Sequence, residues 1–144
     1  MTTTTVTMAQ VRQALADALK ANLASDCQVN AYMLSNFTPP ALMVRPSSEE
    51  LIEYGKAMGE GSQDWYFQII GYVGTSTDRG AQERLDLWIA PGGSESINAA
   101  VDADPTLGGI VANAQVQNCS AYQEYQRPDS SVVLGAEWLV YVVT

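Results

Sequence analysis

The C-terminal segment, Val132 to Thr144, constrains the fold most strongly because both sides of its alternating pattern are apolar. Successive residues of a β-strand point to opposite faces of the sheet. One face would carry Val132, Leu134, Trp138, Val140 and Val142, and the other Val133, Leu139, Tyr141 and Val143. Antiparallel sheets usually have one polar face, so this pattern predicts that both faces are covered. Either another subunit or the chain's own loops can supply the second cover.

Three segments have the apolar spacing of amphipathic helices. In Met8 to Ala24 the apolar residues recur at helical intervals, and Thr7 and Gln10 are placed to form a capping box. Asp78 to Ile89 has the same periodicity, with Leu87 outside the apolar stripe. After a Pro-Gly-Gly break, Ser94 is expected to cap a third short helix.

The remaining apolar segments predict strands. Extended structure is expected in Gln28 to Leu34, Ala41 to Arg45, Asp64 to Gly74 and Ile110 to Gln126. The last of these is much longer than a usual strand, so we expect a bend or bulge near Asn118 to Ser120. Ser47 to Gln63 is predicted to be mostly loop, with room for a short helix around Leu51.

These elements predict an α+β fold with two layers. The sheet would be mainly antiparallel, with four to five strands and a long C-terminal β-hairpin, and about three helices would pack on one face. A chain of 144 residues suits one domain, which we assign to residues 8–144 after a flexible tail of residues 1–7. Because three short helices cannot easily cover both faces, we expect part of the second face to meet another subunit. The residues predicted for that contact are Arg84, Leu87, Val133, Leu139, Tyr141 and Val143.

Charge limits the classes of partner. Seven basic residues against sixteen acidic ones give a net charge of −9, and the sequence has no histidine. Proteins that hold nucleic acid neutralise phosphates with Lys and Arg, whereas the basic residues here are scattered singly. Gripping nucleic acid is therefore disfavoured, although DNA could pass along an acidic wall without binding.

Catalytic and cofactor motifs are weak throughout. Without histidine, the Ser-His and Cys-His pairs that activate nucleophiles are excluded. Gly92 to Ser96 begins like a nucleophile elbow but has serine in place of the second glycine. Asp102 and Asp104 come nearest to a metal site, but a calcium loop needs further oxygen ligands, so they are expected to end a helix. We predict no enzyme activity, cofactor or metal.

Cys27 and Cys119 lack the spacing of a zinc or redox motif. We expect neither a secretory signal nor a membrane-spanning stretch, which favours a reducing cytoplasm as the compartment of assembly. Both cysteines are therefore predicted to be free, buried thiols.

The order of elements resembles that of the tail terminator proteins of long-tailed, non-contractile bacteriophages, also called tail-completion or head–tail joining proteins. The resemblance includes Val11 to Leu15 in the first helix, the aromatic strand Trp65 to Val73 and the helix Ala81 to Asp86. Its most specific part is Ser94 to Ala100 followed by the turn Asp102 to Gly109 and a long hairpin. It extends over roughly Met8 to Thr144.

This resemblance implies a virion structural protein that assembles in the host cytoplasm. Identical copies, expected as a hexamer, would form a ring at the head-proximal end of the tail, where they cap polymerisation of the tail tube protein. The ring would join the tail to the neck proteins of the head and let DNA pass through its lumen without specific binding. Acidic residues predicted for the lumen or for a docking loop are Glu49, Glu50, Glu53, Glu60, Asp102 and Asp104.

Two other functions remain open at this stage. Another neck ring, such as the head-closure or stopper protein, has similar size and acidity, although those proteins are mostly β-structure. A small enzyme or ligand-binding domain of α+β type would need a pocket in which ionisable groups converge. The sequence offers no such group of residues.

Overall fold

The computed structural model describes residues 6–23, 27–33, 38–47, 64–75, 77–127 and 132–143, and the backbone of 52–53. Within these residues there are three helices and six strands, one of the strands only two residues long. The α+β class and the single helical layer are as predicted. The sheet is open: among the described strands, the two outermost ones each pair on one side only.

Helix α1, Met8–Asn22, begins where the sequence predicts. The Thr7 hydroxyl accepts a hydrogen bond from the Gln10 backbone N–H, and the Gln10 side chain accepts one from the Thr7 backbone N–H. This capping box satisfies two of the backbone donors that a helix start leaves free. The buried side of α1 is made of Val11, Leu15, Ala16, Ala18 and Leu19.

Helices α2, Arg79–Ile89, and α3, Ile97–Asp102, are both capped by the side chain before their first residue. Asp78 accepts from the Gly80 N–H at the start of α2. The predicted cap of α3, Ser94, is wrong, because Ser94 is exposed in a turn and Ser96 accepts from the Ala99 N–H. Ser96 is buried and also donates its hydroxyl to the Ala90 carbonyl, which fixes the connection between the two helices.

The strands are β1 (Gln28–Asn30), β2 (Ala41–Pro46), β3 (Ile52–Glu53), β4 (Asp64–Thr75), β5 (Asn113–Gln126) and β6 (Val132–Val143). Their order across the sheet is β1-β2-β4-β6-β5, and β3 pairs with the start of β4. Among these described strands, only the β1–β2 pair is parallel. The extended run predicted from Gln28 is shorter than expected, and Ile52 is in a strand where the sequence left room for a helix.

The bulge predicted in β5 is confirmed. The pairing of β5 with β6 shifts register twice, between Val116 and Asn118 and between Ser120 and Gln123. Ala121, inside the second shift, has a φ of 60°. A residue with a Cβ rarely adopts this left-handed conformation, so the bulge is a strained feature near the middle of the edge strand.

All three helices pack on one face of the sheet, where one continuous core forms. Trp138 of β6 and Trp88 of α2 lie at its centre and are almost fully buried. Both rings lie above Gly71 of β4, where a Cβ would come within 2.8 Å of Trp88 and 2.9 Å of Trp138. The other side of the sheet has no helix of the described chain on it and is called the outer face below.

Candidate assembly surfaces

The outer face of the sheet carries alternate residues of β2, β4 and β6. They are, in β2, Ala41, Met43 and Arg45; in β4, Tyr66, Gln68, Ile70 and Tyr72; and in β6, Val133, Glu137, Leu139, Tyr141 and Val143. Met43 and Ile70 are buried on this face. The outer face is therefore buried and apolar in part, and it is not a uniformly polar surface. Aromatic and aliphatic groups on it stay partly exposed to solvent.

A charged group lies at the middle of the outer face. The Arg45 guanidinium donates from Nε to Oε1 of Gln68 at 2.8 Å, and its Nη2 lies 3.9 Å from Oε1 of Glu137. Both charged side chains are partly exposed, so this ion pair contributes little to stability. It gives the face one positive and one negative group at fixed positions.

Two tyrosine pairs flank this charged group. The rings of Tyr66 and Tyr141 have centroids 5.5 Å apart, and those of Tyr72 and Tyr125 meet edge to face at 5.3 Å. Burial, followed by the charge of Tyr125, raises the pKa of Tyr72. Rigid aromatic side chains that are part apolar and part hydroxyl are common at protein interfaces. The outer face thus has the composition of a contact surface.

An open cavity of about 280 Å³ lies between β4, β5 and β6 on the outer face. Its lining is mostly polar and uncharged, with one carboxylate, and consists of Ser47, Tyr66, Gln68, Asn118, Ser120, Glu137 and Leu139. A small-molecule site is normally lined mainly by apolar groups with a few convergent polar ones. The lining includes two serine hydroxyls and the Glu137 carboxylate, a set that by itself does not indicate a particular reaction.

The predicted contact residues lie on two sides of the molecule. Leu139, Tyr141 and Val143 are half-buried on the outer face, whereas Val133 is only 4% exposed and has little surface to offer a partner. Arg84 and Leu87 belong to α2 in the helical layer, on the opposite side of the sheet. The structure therefore groups the β6 residues together and separates them from the two α2 residues.

The predicted acidic residues are only partly described. Glu49, Glu50 and Glu60 lie outside the described residues, and Glu53 is described only as backbone in β3. Asp102 is exposed at the end of α3. Asp104 Oδ1 accepts a hydrogen bond from the Gly108 N–H at 3.2 Å, so it shapes the turn after the helix.

Two further candidates for chemistry in the described part of the chain are clusters of metal-ligating side chains and the two thiols. Within it, no three His, Cys, Asp or Glu residues are close enough together to hold a metal ion. Cys27 and Cys119 form no disulfide, as predicted, but they are only half-buried where buried thiols were expected. Burial raises the pKa of the Cys119 thiol to about 11.

Exposed apolar side chains at the sheet edges were not predicted. Tyr122 lies in the strained bulge of β5 and is 49% exposed. Partial burial of its ring, and then the nearby Asp86 carboxylate, raise the pKa of Tyr122. Tyr32 and Met33 follow β1 at the other edge and are 50% and 42% exposed. Strand alternation cannot reveal Tyr122, because the bulge changes the direction of its side chain.

Neither the protein-family models nor the curated proteins compared with the sequence give a match. Among the described helices, none combines the length and the apolar character needed to cross a membrane.

Proposed function

We propose that this chain is a virion structural protein, the tail terminator of a long-tailed bacteriophage. Copies of it form a ring at the head-proximal end of the tail, end tube polymerisation and join the tail to the neck. The observation that carries the proposal is the outer face, which has none of the described helices on it and where paired tyrosines and aliphatic side chains remain partly exposed. A surface of this composition on a structural protein fits contact with other proteins.

A ring built from one kind of subunit needs two different surfaces on each copy. In a head-to-tail interface one side of a subunit contacts the opposite side of the next, and the ring closes when the rotation between them does. Leu87 on the helical side and Tyr141 on the outer face lie on two separate surfaces of the chain, which supports this arrangement. A terminator ring also needs axial surfaces, one toward the tube and one toward the neck.

The charge of the chain suits a conduit for DNA. With a net charge of −9, a ring of six copies would repel the phosphate backbone rather than hold it. We assign the lumen or a docking loop to the acidic segments that contain Glu49, Glu50, Glu53 and Glu60, together with Asp102. Asp104 is a weaker candidate because its carboxylate already holds the turn after α3.

Loss of the protein from phage particles tests this function. Particles that lack it should carry overlong tails, because nothing stops the tube protein from polymerising, and these tails should fail to join heads. Restoring the intact chain should restore a uniform tail length. Tails of normal length beside heads that leak DNA would contradict the proposal and indicate a stopper ring instead.

A physical test uses the purified chain. Mass photometry at micromolar and lower concentrations should show a hexamer. The electrophoretic mobility of the chain should not change when duplex DNA is added at low salt. A monomer that stays monomeric in the presence of purified tail tubes, or tight binding to DNA, would contradict the proposal.

A further inference from the structure

The open cavity on the outer face is a built part of the fold. It has a volume of about 280 Å³, and Glu137 is the one charged residue in its lining. On the β2 side it is bounded by Ser47, which is only 5% exposed and whose backbone N–H donates to the Tyr66 carbonyl at 3.0 Å. A cavity bounded by a buried polar side chain belongs to the folded structure and is not a gap between surface side chains.

The first bulge of β5 places two polar side chains in the cavity. The pairing advances by two residues in β5, from Val116 to Asn118, for one residue in β6. One extra residue reverses the alternation of a strand between its two faces. Asn118 and Ser120 therefore line the cavity on the outer face, while Cys119 between them packs against the core. In a regular strand these two polar side chains would lie on the helical face.

The polar groups of the cavity differ in what they can donate and accept. Oε1 of Gln68 already accepts from Nε of Arg45 at 2.8 Å, so Gln68 offers the cavity chiefly its amide N–H groups. The Glu137 carboxylate can only accept, whereas Asn118 and Ser120 can each do both. The cavity thus presents hydrogen-bond donors and acceptors from three neighbouring strands.

This arrangement favours an uncharged ligand that both donates and accepts hydrogen bonds. The Glu137 carboxylate and the net charge of −9 repel an anion. A cation would compete for that carboxylate with the Arg45 guanidinium, which is 3.9 Å away. An apolar ligand would leave several polar groups without water or a partner, which is unfavourable. A mainly polar lining, unusual for a small-molecule site, matches a ligand whose own surface is mostly hydroxyl groups.

The aromatic wall and the size of the cavity narrow the class further. Tyr66 lines the cavity, and its ring centroid lies 5.5 Å from that of Tyr141. The face of an aromatic ring is partly negative and attracts the C–H groups on the flat side of a sugar ring. The volume is just below the range of about 300–1,000 Å³ that is usual for ligand pockets. There is therefore room for one sugar ring.

We propose that this cavity binds a single neutral sugar ring, present as a free monosaccharide or as the end of a glycan. Glu137 accepts hydrogen bonds from the sugar hydroxyls, Gln68 donates to them, and Tyr66 packs against the C–H side of the ring. The affinity is expected to be millimolar, because each hydrogen bond to the sugar replaces one to water. The inference does not depend on the proposed function, since the cavity belongs to a single chain.

Saturation-transfer NMR of the purified chain tests the inference. The probes are glucose, galactose, mannose and N-acetylglucosamine, each as the free sugar and as its methyl glycoside. At least one should receive saturation from the protein, strongest at its ring C–H protons, with a response that saturates in the millimolar range. Binding of the glycoside as well as the free sugar indicates the end of a glycan, and binding of the free sugar alone indicates a monosaccharide. No transfer to any probe at tens of millimolar would overturn the inference.

Two variants with matched controls locate the binding. Asn118→Ala and Glu137→Gln should each weaken the affinity for the bound sugar about two- to tenfold, the usual effect of one lost or weakened hydrogen bond. Asn113→Ala and Glu124→Gln change exposed residues of β5 that do not line the cavity, and they should bind as the unmodified chain does. Circular dichroism establishes that all four variants are folded.

Two results of this comparison would contradict a sugar site in the cavity. One is an affinity that is the same in the cavity variants and in their controls, which would place the binding elsewhere. The other is methylammonium binding more tightly than any of the sugars and losing its affinity in Glu137→Gln. That result would identify a cation site around the carboxylate instead.

Discussion

The rings of Trp88 and Trp138 meet at 63° with their centroids 6.3 Å apart, and this contact joins α2 to the strand that ends the chain. An edge-to-face arrangement is the favourable geometry for two aromatic rings. Both rings are buried directly above Gly71. The contact therefore depends on a strand position that has no side chain. The prediction of β4, in contrast, rested on its aromatic and β-branched residues alone.

Replacement of Gly71 by alanine should destabilise the protein. The new methyl group would lie within 2.9 Å of Trp88, Leu42 and Trp138, which are all buried. Overpacking of this kind typically costs about 1–3 kcal/mol, and urea unfolding followed by tryptophan fluorescence measures it. Gly92→Ala is the matched control, because a methyl group added there would have no atom within 4 Å beyond its own chain neighbours. Equal stability of the two variants would contradict the packing described.

The two serines before α3 should differ in their contribution to stability. Ser96→Ala removes the acceptor for the Ala99 N–H and the donor to the Ala90 carbonyl at a buried position. Loss of a cap together with a buried hydrogen bond should cost about 1–3 kcal/mol. Ser94→Ala, at the exposed serine that the sequence pointed to, should stay within about 0.5 kcal/mol of the unmodified chain. Chemical denaturation of both variants decides which serine is the cap.

Local patterns account for what was predicted correctly. The capping box at Thr7 and Gln10 involves residues three positions apart, and the faces of β6 follow from strict alternation, so neither depends on the rest of the fold. The choice between Ser94 and Ser96 was not decidable in this way. Both precede Ile97, and the burial of Ser96 against the Ala90 carbonyl comes from the packing of α2 against α3.

Features that depend on long-range pairing were not predictable. Strand β1 ends at Asn30 because it pairs in parallel with β2 over three positions only, and no local residue marks that limit. The contact residues predicted for one surface lie on two, since Leu87 is placed by α2 and Tyr141 by β6. The apolar edges depend on the strand order, which the spacing of residues does not specify.

Truncation of Arg12 should weaken the junction between α1 and the β1 edge. Arg12→Ala removes the part-buried hydrogen bonds to the Ala31 and Val44 carbonyls and the contact with Tyr32. Hydrogen bonds from charged groups contribute about 1.5–3 kcal/mol. We therefore expect the free energy of unfolding, measured with urea, to fall by an amount in that range. Arg12→Lys should recover only part of it, because an ammonium group cannot reproduce the guanidinium geometry.

Arg79→Ala is the matched control for this prediction. The Arg79 side chain is 91% exposed, and its Nε lies 2.9 Å from Oε1 of Glu83 four residues later in α2. A surface pair of this type contributes at most about 0.5 kcal/mol. If Arg79→Ala lowers the free energy of unfolding as much as Arg12→Ala does, the removal of any arginine has the same effect.

The thiol of Cys119 should react slowly in the folded protein. Burial raises its pKa from 9.0 to about 11, and the thiolate is the reactive form. At pH 8 the thiolate fraction should be about a hundredfold smaller than for a thiol with the unshifted pKa. In a Cys27→Ser variant, alkylation by iodoacetamide should therefore be about a hundredfold slower in buffer than in concentrated urea. Because the folded chain binds this proton more tightly, stability should also fall as the pH rises from about 9 toward 11, and a Cys27→Ser/Cys119→Ser variant should lack that part of the decline. Equal alkylation rates in the two solvents would contradict the burial of this thiol.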